Sequence, residues 1–295
     1  MSTQMGSIPR LLAVASRLEG EGQYNNAKLV RAATESILHQ AAFHAAVPFS
    51  KDILARELEN VAGLLSEEGM SSSLVEAIEA GASALSEDRL PLIHETPNAS
   101  VCRTCGYVVT EEQEQRCPTC GARRITFKRF LPIYWLEAQD PFSALQSLQH
   151  TPTEVSALVD GLSEAQLAQQ PEAGGWAIRN IVSHLRDAQG VLSFRLDLML
   201  EQDNPPIESK AVFEWATREE DRPPTTLEIF DTYRNSRQKT IEKLEAISLR
   251  DWWRQGRHEE FGTVTILQQV SYFATHEITH LPQIELLRQG LLSSA

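Results

Sequence analysis

The sequence predicts a mainly α-helical protein built from several consecutive parts. Apolar residues recur at the spacing of a helix face through residues 8–90 and again from about Phe142 onward. All four cysteines fall between Cys102 and Cys120, in two pairs. These observations predict four consecutive parts: a helical domain (residues 1–97), a small metal ribbon (98–130), a linker (131–141) and a four-helix bundle (142–295).

The N-terminal domain is predicted to be helical throughout. In "SKDILARELENVAGLLSEEG", Ser50 is the expected helix cap, and a stripe of apolar residues follows at helical spacing. Ser73 and Glu76 are spaced as a capping box, which predicts the start of the next helix.

The cysteine segment contains two Cys-x-x-Cys pairs separated by 11 residues. Each short turn lets two thiolates approach one ion, and two such turns complete a tetrahedral sulfur site. Gly106 and Gly121 directly follow the pairs, where a positive φ is often needed. Free, buried cysteines are the alternative, but the paired spacing favours a metal. The predicted ligands are Cys102, Cys105, Cys117 and Cys120.

In "CRTCGYVV" and "CPTCGA" this segment resembles the rubredoxin-like module of rubrerythrins. The resemblance implies a two-knuckle ribbon that holds zinc or iron, with a structural or electron-transferring role. "EGQYNNAKLVRAATESILHQAAF" is more distantly similar to the helical domain of the same family. However, Glu35 and His39 are four residues apart and Ile37 stands where a ligand glutamate is expected, so we predict that the di-iron site is lost. His39 and His44 are interpreted as polar helix flanks.

The C-terminal part predicts four helices, at residues 143–162, 174–200, 225–247 and 263–291. Thr151–Pro152 predicts a bend or break in the first, and Thr225 with Glu228 forms a capping box that opens the third. A long connection marked by prolines, residues 201–224, is typical of a crossover or lid. No strand-rich region is expected outside the cysteine segment.

Two histidines in "FATHEITHLPQI" are the main candidates for a functional site. His276 and His280 are four residues apart and share a helix face with Phe273 and Ile284, so both should point into the bundle. Pro282 predicts a kink or a loosened turn beside them. His184, on the inner half of the second helix, is the candidate third ligand. Without a third ligand, the pair would be structural core residues.

The segments "GGWAIRNIVSHLRDAQ", "GRHEEFGTVTILQQV" and "HEITHLPQI" together resemble the DinB-like family of four-helix bundles, over about Phe142 to Leu291. The resemblance implies that His184, His276 and His280 bind one divalent metal, zinc, nickel or iron. It also implies open coordination positions, a homodimer, and use of low-molecular-weight thiols, as in the thiol transferases and isomerases of that family. Candidate partners of the ligands are Asp187, Glu277 and Gln283. His258 is interpreted as a turn residue, and Trp176, Trp252 and Trp253 as core or loop anchors.

Charge and composition narrow the function classes. The net charge of −13 disfavours a general nucleic-acid or anionic-membrane binder. The start lacks a secretory signal and no long apolar run is present, so a cytoplasmic protein is expected. The leading hypothesis is a metal-dependent transferase or hydrolase with a separate four-cysteine zinc or iron site, although no general base or substrate motif is identifiable. The alternatives are a non-enzymatic redox or metal sensor with rubredoxin-like iron, and an oligomerisation role for the N-terminal half.

Overall fold

The computed structural model describes residues 7–43, 51–110, 115–132, 138–171, 174–209 and 224–293. The chain divides into two compact units, Met1–Phe130 and Leu131–Ala295, which are described separately. Ser50, His44 and residues 210–223 of the predicted crossover lie outside the described residues. Among the described helices, none has the length and apolar character that a membrane crossing requires.

The first unit begins with two helical hairpins. Helix α1 packs against α2, and α3 packs against α4, largely through alanines that allow close approach of the backbones. The four helices are Ile8–Gly20, Tyr24–Phe43, Lys51–Glu67 and Ser72–Ser86. The predicted Ser73–Glu76 capping box is wrong: α4 is preceded by Ser71, and Ser73 Oγ instead accepts a hydrogen bond from Thr110 Oγ1 at 2.9 Å.

A small antiparallel sheet completes the first unit. Its strands are β1 (Ser100–Cys102), β2 (Val108–Val109) and β3 (Phe127–Arg129), in the order β2–β1–β3. Cys102 pairs with Phe127, so the sheet fixes the first cysteine at the end of its central strand.

The second unit is a four-helix bundle, and the predicted mainly α architecture is confirmed. Helices α5, α7 and α8 pack with a fourth element made of α9 and α10. Thr225 and Glu228 form the predicted capping box of α8. The helices are α5 (Pro141–Val159), the short α6 (Glu164–Leu167), α7 (Ile178–Glu201), α8 (Thr226–Ala246), α9 (Ile266–Ile278) and α10 (Leu281–Ser293).

Pro152 does not break α5, contrary to the sequence-based expectation. A proline lacks the N–H that would bond the carbonyl four residues earlier, here that of Leu148. Arg237 Nη1 from α8 donates to this carbonyl at 3.1 Å instead. The buried guanidinium therefore supplies the missing donor, and the helix continues through the proline.

The predicted single fourth helix is divided in two. Helix α9 ends at Ile278, Thr279 and His280 form a turn, and α10 begins at Leu281. The loosened turn expected at Pro282 is thus confirmed, because a proline is accepted in the first turn of a new helix but not within a continuing one.

The second unit also contains a small sheet, although the sequence indicates no strand-rich region outside the cysteine segment. Beside α7 and α9 lies a second three-stranded sheet of β4 (Pro206–Ile207), β5 (Gln255–His258) and β6 (Gly262–Thr265), with β4 parallel and β6 antiparallel to β5. A Cβ at Gly256 would lie 2.6 Å from Ile207 Cδ1, so a larger residue at this position would force the Ile207 side chain to shift. His258 is buried in β5 and is not a turn residue.

Candidate metal centres

The four cysteines form two matching knuckles. Gly106 N donates to Cys102 O and Gly121 N donates to Cys117 O, both at 2.8 Å, and both glycines have a positive φ. The first cysteine of each pair is buried and the second is exposed. The chain thus brings all four predicted thiols to one place, with Sγ atoms within 4.8 Å of one another.

The sulfur atoms are spaced as ligands of one ion. Cys102 Sγ lies 3.7 Å from Cys120 Sγ, and Cys105 Sγ lies 3.6 Å from Cys117 Sγ. Four sulfurs about 2.3 Å from a tetrahedral zinc ion would stand about 3.8 Å apart. Burial raises the pKa of the Cys102 thiol, but the backbone amides of Cys105 and Thr104 outweigh it and lower that pKa to about 6. A thiolate is the form that binds metal.

The second group lies in the bundle. His184 comes from α7, His276 from the last turn of α9, and His280 from the turn between α9 and α10. His276 Nε2 lies 3.2 Å from His184 Nε2 and 3.3 Å from His280 Nε2. The three predicted residues are therefore brought together by their Nε2 atoms, although the pair does not share one helix.

Two of the imidazoles, those of His184 and His276, are held in the neutral form that binds metal. Burial is the main cause that lowers the pKa of His184 and of His276, and the neighbouring His280 lowers both further. The pKa of His276 falls to about 4. His280 Nδ1 donates to Gln283 Oε1 at 2.9 Å, which leaves a lone pair on its Nε2. Among the described residues His276 Nδ1 has no hydrogen-bond partner.

These separations match three ligands of one small divalent ion. Nitrogens about 2.0–2.1 Å from a tetrahedral metal ion would stand about 3.3 Å apart. Three imidazoles fill three positions only, so a fourth remains for water or a substrate. The three nitrogen donors therefore fit a metal ion and leave one coordination position open. The four cysteines, in contrast, would leave no position open.

An aromatic residue borders the histidine group. Trp176 stacks on His280 with ring centroids 6.3 Å apart and lies 5.1 Å from the ring of His184. Half of its surface is exposed. Trp176, interpreted as a core or loop anchor, lies in the loop before α7 and packs against the rings of His184 and His280.

The structure places one of the three predicted partners of the histidine ligands as expected. Gln283 contacts His280, as expected. Glu277 does not contact an imidazole: it is fully buried and pairs with Arg237 of α8. Asp187 forms an ion pair with Arg186. Its negative charge also raises the pKa of His184, which partly opposes the lowering by burial.

A buried polar layer next to His276 was missed by the sequence analysis. Arg237 donates to both carboxylate oxygens of Glu277 and, through Nε, to Gln189 Oε1 at 2.5 Å. Tyr233 OH donates to Glu277 Oε2 at 3.1 Å. Burial raises the pKa of Tyr233, so it stays a neutral donor. With the carbonyl of Leu148, this layer joins all four elements of the bundle.

The fold and the site define a class: a four-helix bundle with an open group of three histidines suited to a divalent metal. Residues 147–284, which include the three histidines, match the family model of the DinB superfamily. The C-terminal half is therefore DinB-like, as the sequence motifs predicted. The match begins at residue 147, so the rubrerythrin resemblance of the N-terminal half stays a prediction.

Individual relatives cover the same half of the chain. A Bacillus cereus protein, provisionally named a metal-dependent hydrolase, is 24% identical over 147 residues, which are 50% of this chain and 84% of the relative. A Bacillus anthracis protein of the same name is 23% identical over 147 residues. The solved structure of YfiT from Bacillus subtilis, described as a probable metal-dependent hydrolase with an unusual four-helix bundle topology, has 18% sequence identity and a TM-score of 0.47. It covers 55% of this chain and 93% of that one.

Proposed function

We propose that the second unit is a metal-dependent enzyme that catalyses hydrolysis or group transfer on a small molecule, with one divalent ion held by His184, His276 and His280. The observation that carries the proposal is the convergence of three Nε2 atoms, with that of His276 lying 3.2 Å and 3.3 Å from the other two. The names of the Bacillus relatives support a metal-dependent hydrolytic reaction.

Each surrounding residue has a distinct task in this proposal. Gln283 holds His280 in the tautomer whose Nε2 is free, and the Arg237–Glu277 pair fixes the rotation of α9 beside His276. Trp176 limits the access of water and offers an apolar face to a substrate. A bound divalent ion would supply Lewis acidity and would lower the pKa of a bound water or thiol toward neutrality.

The four cysteines are proposed to hold a second ion, zinc or iron, with no open position. With zinc the ribbon would be structural. The exposure of Cys105 and Cys120 favours a second candidate function, because exposed sulfurs allow electron exchange with a partner. With iron, the chain would be a redox or metal sensor of the rubredoxin type.

Metal content tests the histidine site directly. We expect protein purified without affinity-tag nickel to contain two ions per chain by elemental analysis. His276→Ala/His280→Ala should lose about one equivalent and keep the cysteine-bound ion, since the sites share no ligand. His150→Ala, on an exposed face of α5, is the matched control. Unchanged metal content in the double variant would contradict the site.

The reaction is tested separately. Loaded protein is assayed with a p-nitrophenyl ester as probe, with and without a low-molecular-weight thiol. Release of p-nitrophenol without a thiol supports hydrolysis. Release of p-nitrophenol that depends on the thiol supports transfer. No release above the level of the double variant would contradict enzymatic function. A homodimer and a cytoplasmic location remain proposals, checked by light scattering and cell fractionation.

A further inference from the structure

A buried cation lies in the second unit, apart from the histidine group. Arg195 of α7 is only 4% exposed. Its Nη1 donates to Gln269 Oε1 at 3.4 Å and its Nη2 to Glu208 O at 3.2 Å, while Nε has no partner among the described residues. Both accepting groups are neutral. Burial lowers the pKa of Arg195, and the Tyr272 phenol group and the Glu260 carboxylate only partly oppose that effect.

His258 adds a second unpaired donor. It is 2% exposed, and its Nδ1 accepts from Glu260 N at 3.2 Å. The neutral ring therefore carries its proton on Nε2, which has no partner in the described part of the chain. Burial and then the charge of Arg195 keep the ring neutral by lowering its pKa to about 3. His258 pairs in the sheet with Ile207, the residue before Glu208, so it is a neighbour of the guanidinium.

Gln269 of α9 supplies the third donor. Its Oε1 is occupied by Arg195, and its Nε2 is buried with no partner among described residues. Ser209 Oγ, one residue beyond Glu208, is also buried and unpaired within that part of the chain. An unpaired buried donor costs about 1–3 kcal/mol, so several together call for a common acceptor.

The free nitrogens of Arg195, His258 and Gln269 are donors, which decides the chemistry of that acceptor. A single water accepts only two hydrogen bonds, one fewer than these three donors need. An oxyanion only accepts, and it also neutralises the buried cation. We propose that Arg195, His258 and Gln269 form an anion-binding site that takes the carboxylate or phosphate group of a ligand.

The site is separate from the proposed metal site. Gln269 precedes His276 by seven residues on α9, which is about 10 Å along a helix. Neither His258 nor Arg195 contributes to the histidine group. The two proposals can therefore fail independently.

The test is an NMR titration of the full-length protein labelled with 15N at histidine. Sodium acetate and inorganic phosphate are added separately at constant ionic strength. The Nε2–H signal of His258, assigned by its absence in His258→Gln, should move downfield and saturate. Saturation with acetate alone identifies a carboxylate site, and saturation with phosphate alone identifies a phosphate site. A response that is not saturable with either anion overturns the proposal.

Three variants make the result specific. Arg195→Met should abolish the response, and Gln269→Met, which removes one donor and no charge, should weaken binding about tenfold. If Arg195→Met does not fold, Gln269→Met still decides the question. Arg254→Met is the control, because in the described part of the chain this arginine donates to the carbonyls of Met199 and Gln202. The proposal is wrong if Gln269→Met binds as the wild type does.

Discussion

Replacing Glu277 with glutamine tests whether the buried ion pair holds the bundle together. The carboxylate is fully buried and receives hydrogen bonds from Arg237 and Tyr233. An amide of the same shape removes the negative charge and turns one acceptor into a donor that faces the guanidinium. Arg237, which is 1% exposed, is then left as a buried cation with neutral acceptors only: Gln189, Leu148 and the remaining amide oxygen at position 277.

The expected cost is large. Removing one member of a buried ion pair destabilises a protein by about 3–5 kcal/mol, because the remaining charge stays buried without compensation. Total stabilities are about 5–15 kcal/mol. With a urea dependence of about 2 kcal/mol per molar, a loss of about 4 kcal/mol lowers the unfolding midpoint by about 2 M.

Tryptophan fluorescence is the appropriate assay, because the tryptophans that the structure describes, Trp176, Trp252 and Trp253, lie in the second unit. The matched control is Asp231→Asn, which makes the same change from acid to amide in the exposed Arg234–Asp231 pair on α8. That pair should contribute no more than about 1 kcal/mol. If Glu277→Gln shifts the midpoint no further than Asp231→Asn, the pair does not stabilise the bundle and the reasoning is refuted.

Three further changes test other parts of the site and sheet. Gln283→Leu removes the acceptor of His280 Nδ1 and should weaken metal affinity about tenfold in a chelator competition, with exposed Gln289→Leu as control. Burial lowers the pKa of His258 to about 3, so below about pH 6.5 the unfolded chain binds a proton that the folded chain refuses. The free energy of unfolding should therefore fall as pH drops from about 6.5, with a smaller slope in His258→Gln; equal slopes would contradict this. Gly256→Ala places a Cβ against Ile207 and should cost about 1–3 kcal/mol in urea unfolding, whereas Gly290→Ala, with nothing within 4 Å, should not destabilise.

The sequence predicted the features that depend on local spacing. Helix periodicity located the four bundle elements, and the capping box at Thr225 and Glu228 is present as expected. The spacing of the paired cysteines and the position of the histidines on apolar helix stripes are local properties of the sequence. The structure brings each group together, as these patterns predict. Whether metals occupy these groups stays a prediction for the experiments above.

The features that sequence could not supply depend on tertiary partners. Arg237 on α8 has the same local signature as an exposed arginine such as Arg234, and only packing shows that it is buried. The strand that carries His258 is four residues long and has no clear alternation, so it was assigned to a turn. Glu277 was assigned to the histidines because it is their neighbour in sequence, whereas its side chain points to another helix.

The guanidinium of Arg237 explains two of the wrong predictions, the one at Pro152 and the assignment of Glu277 to the histidines. Pro152 leaves the carbonyl of Leu148 without a partner, which is why the sequence indicated a break in α5. Arg237 fills that vacancy and also binds Glu277, the residue after His276. A strong helix-breaking signal on α5 is therefore overridden by the same contact that sets the rotation of α9 beside the histidine group. Buried charges are costly, and a layer of this kind is stable only when every donor and acceptor is paired. The pairing here fixes α5, α7, α8 and α9 in one mutual arrangement, which is the arrangement that brings His276 to His184.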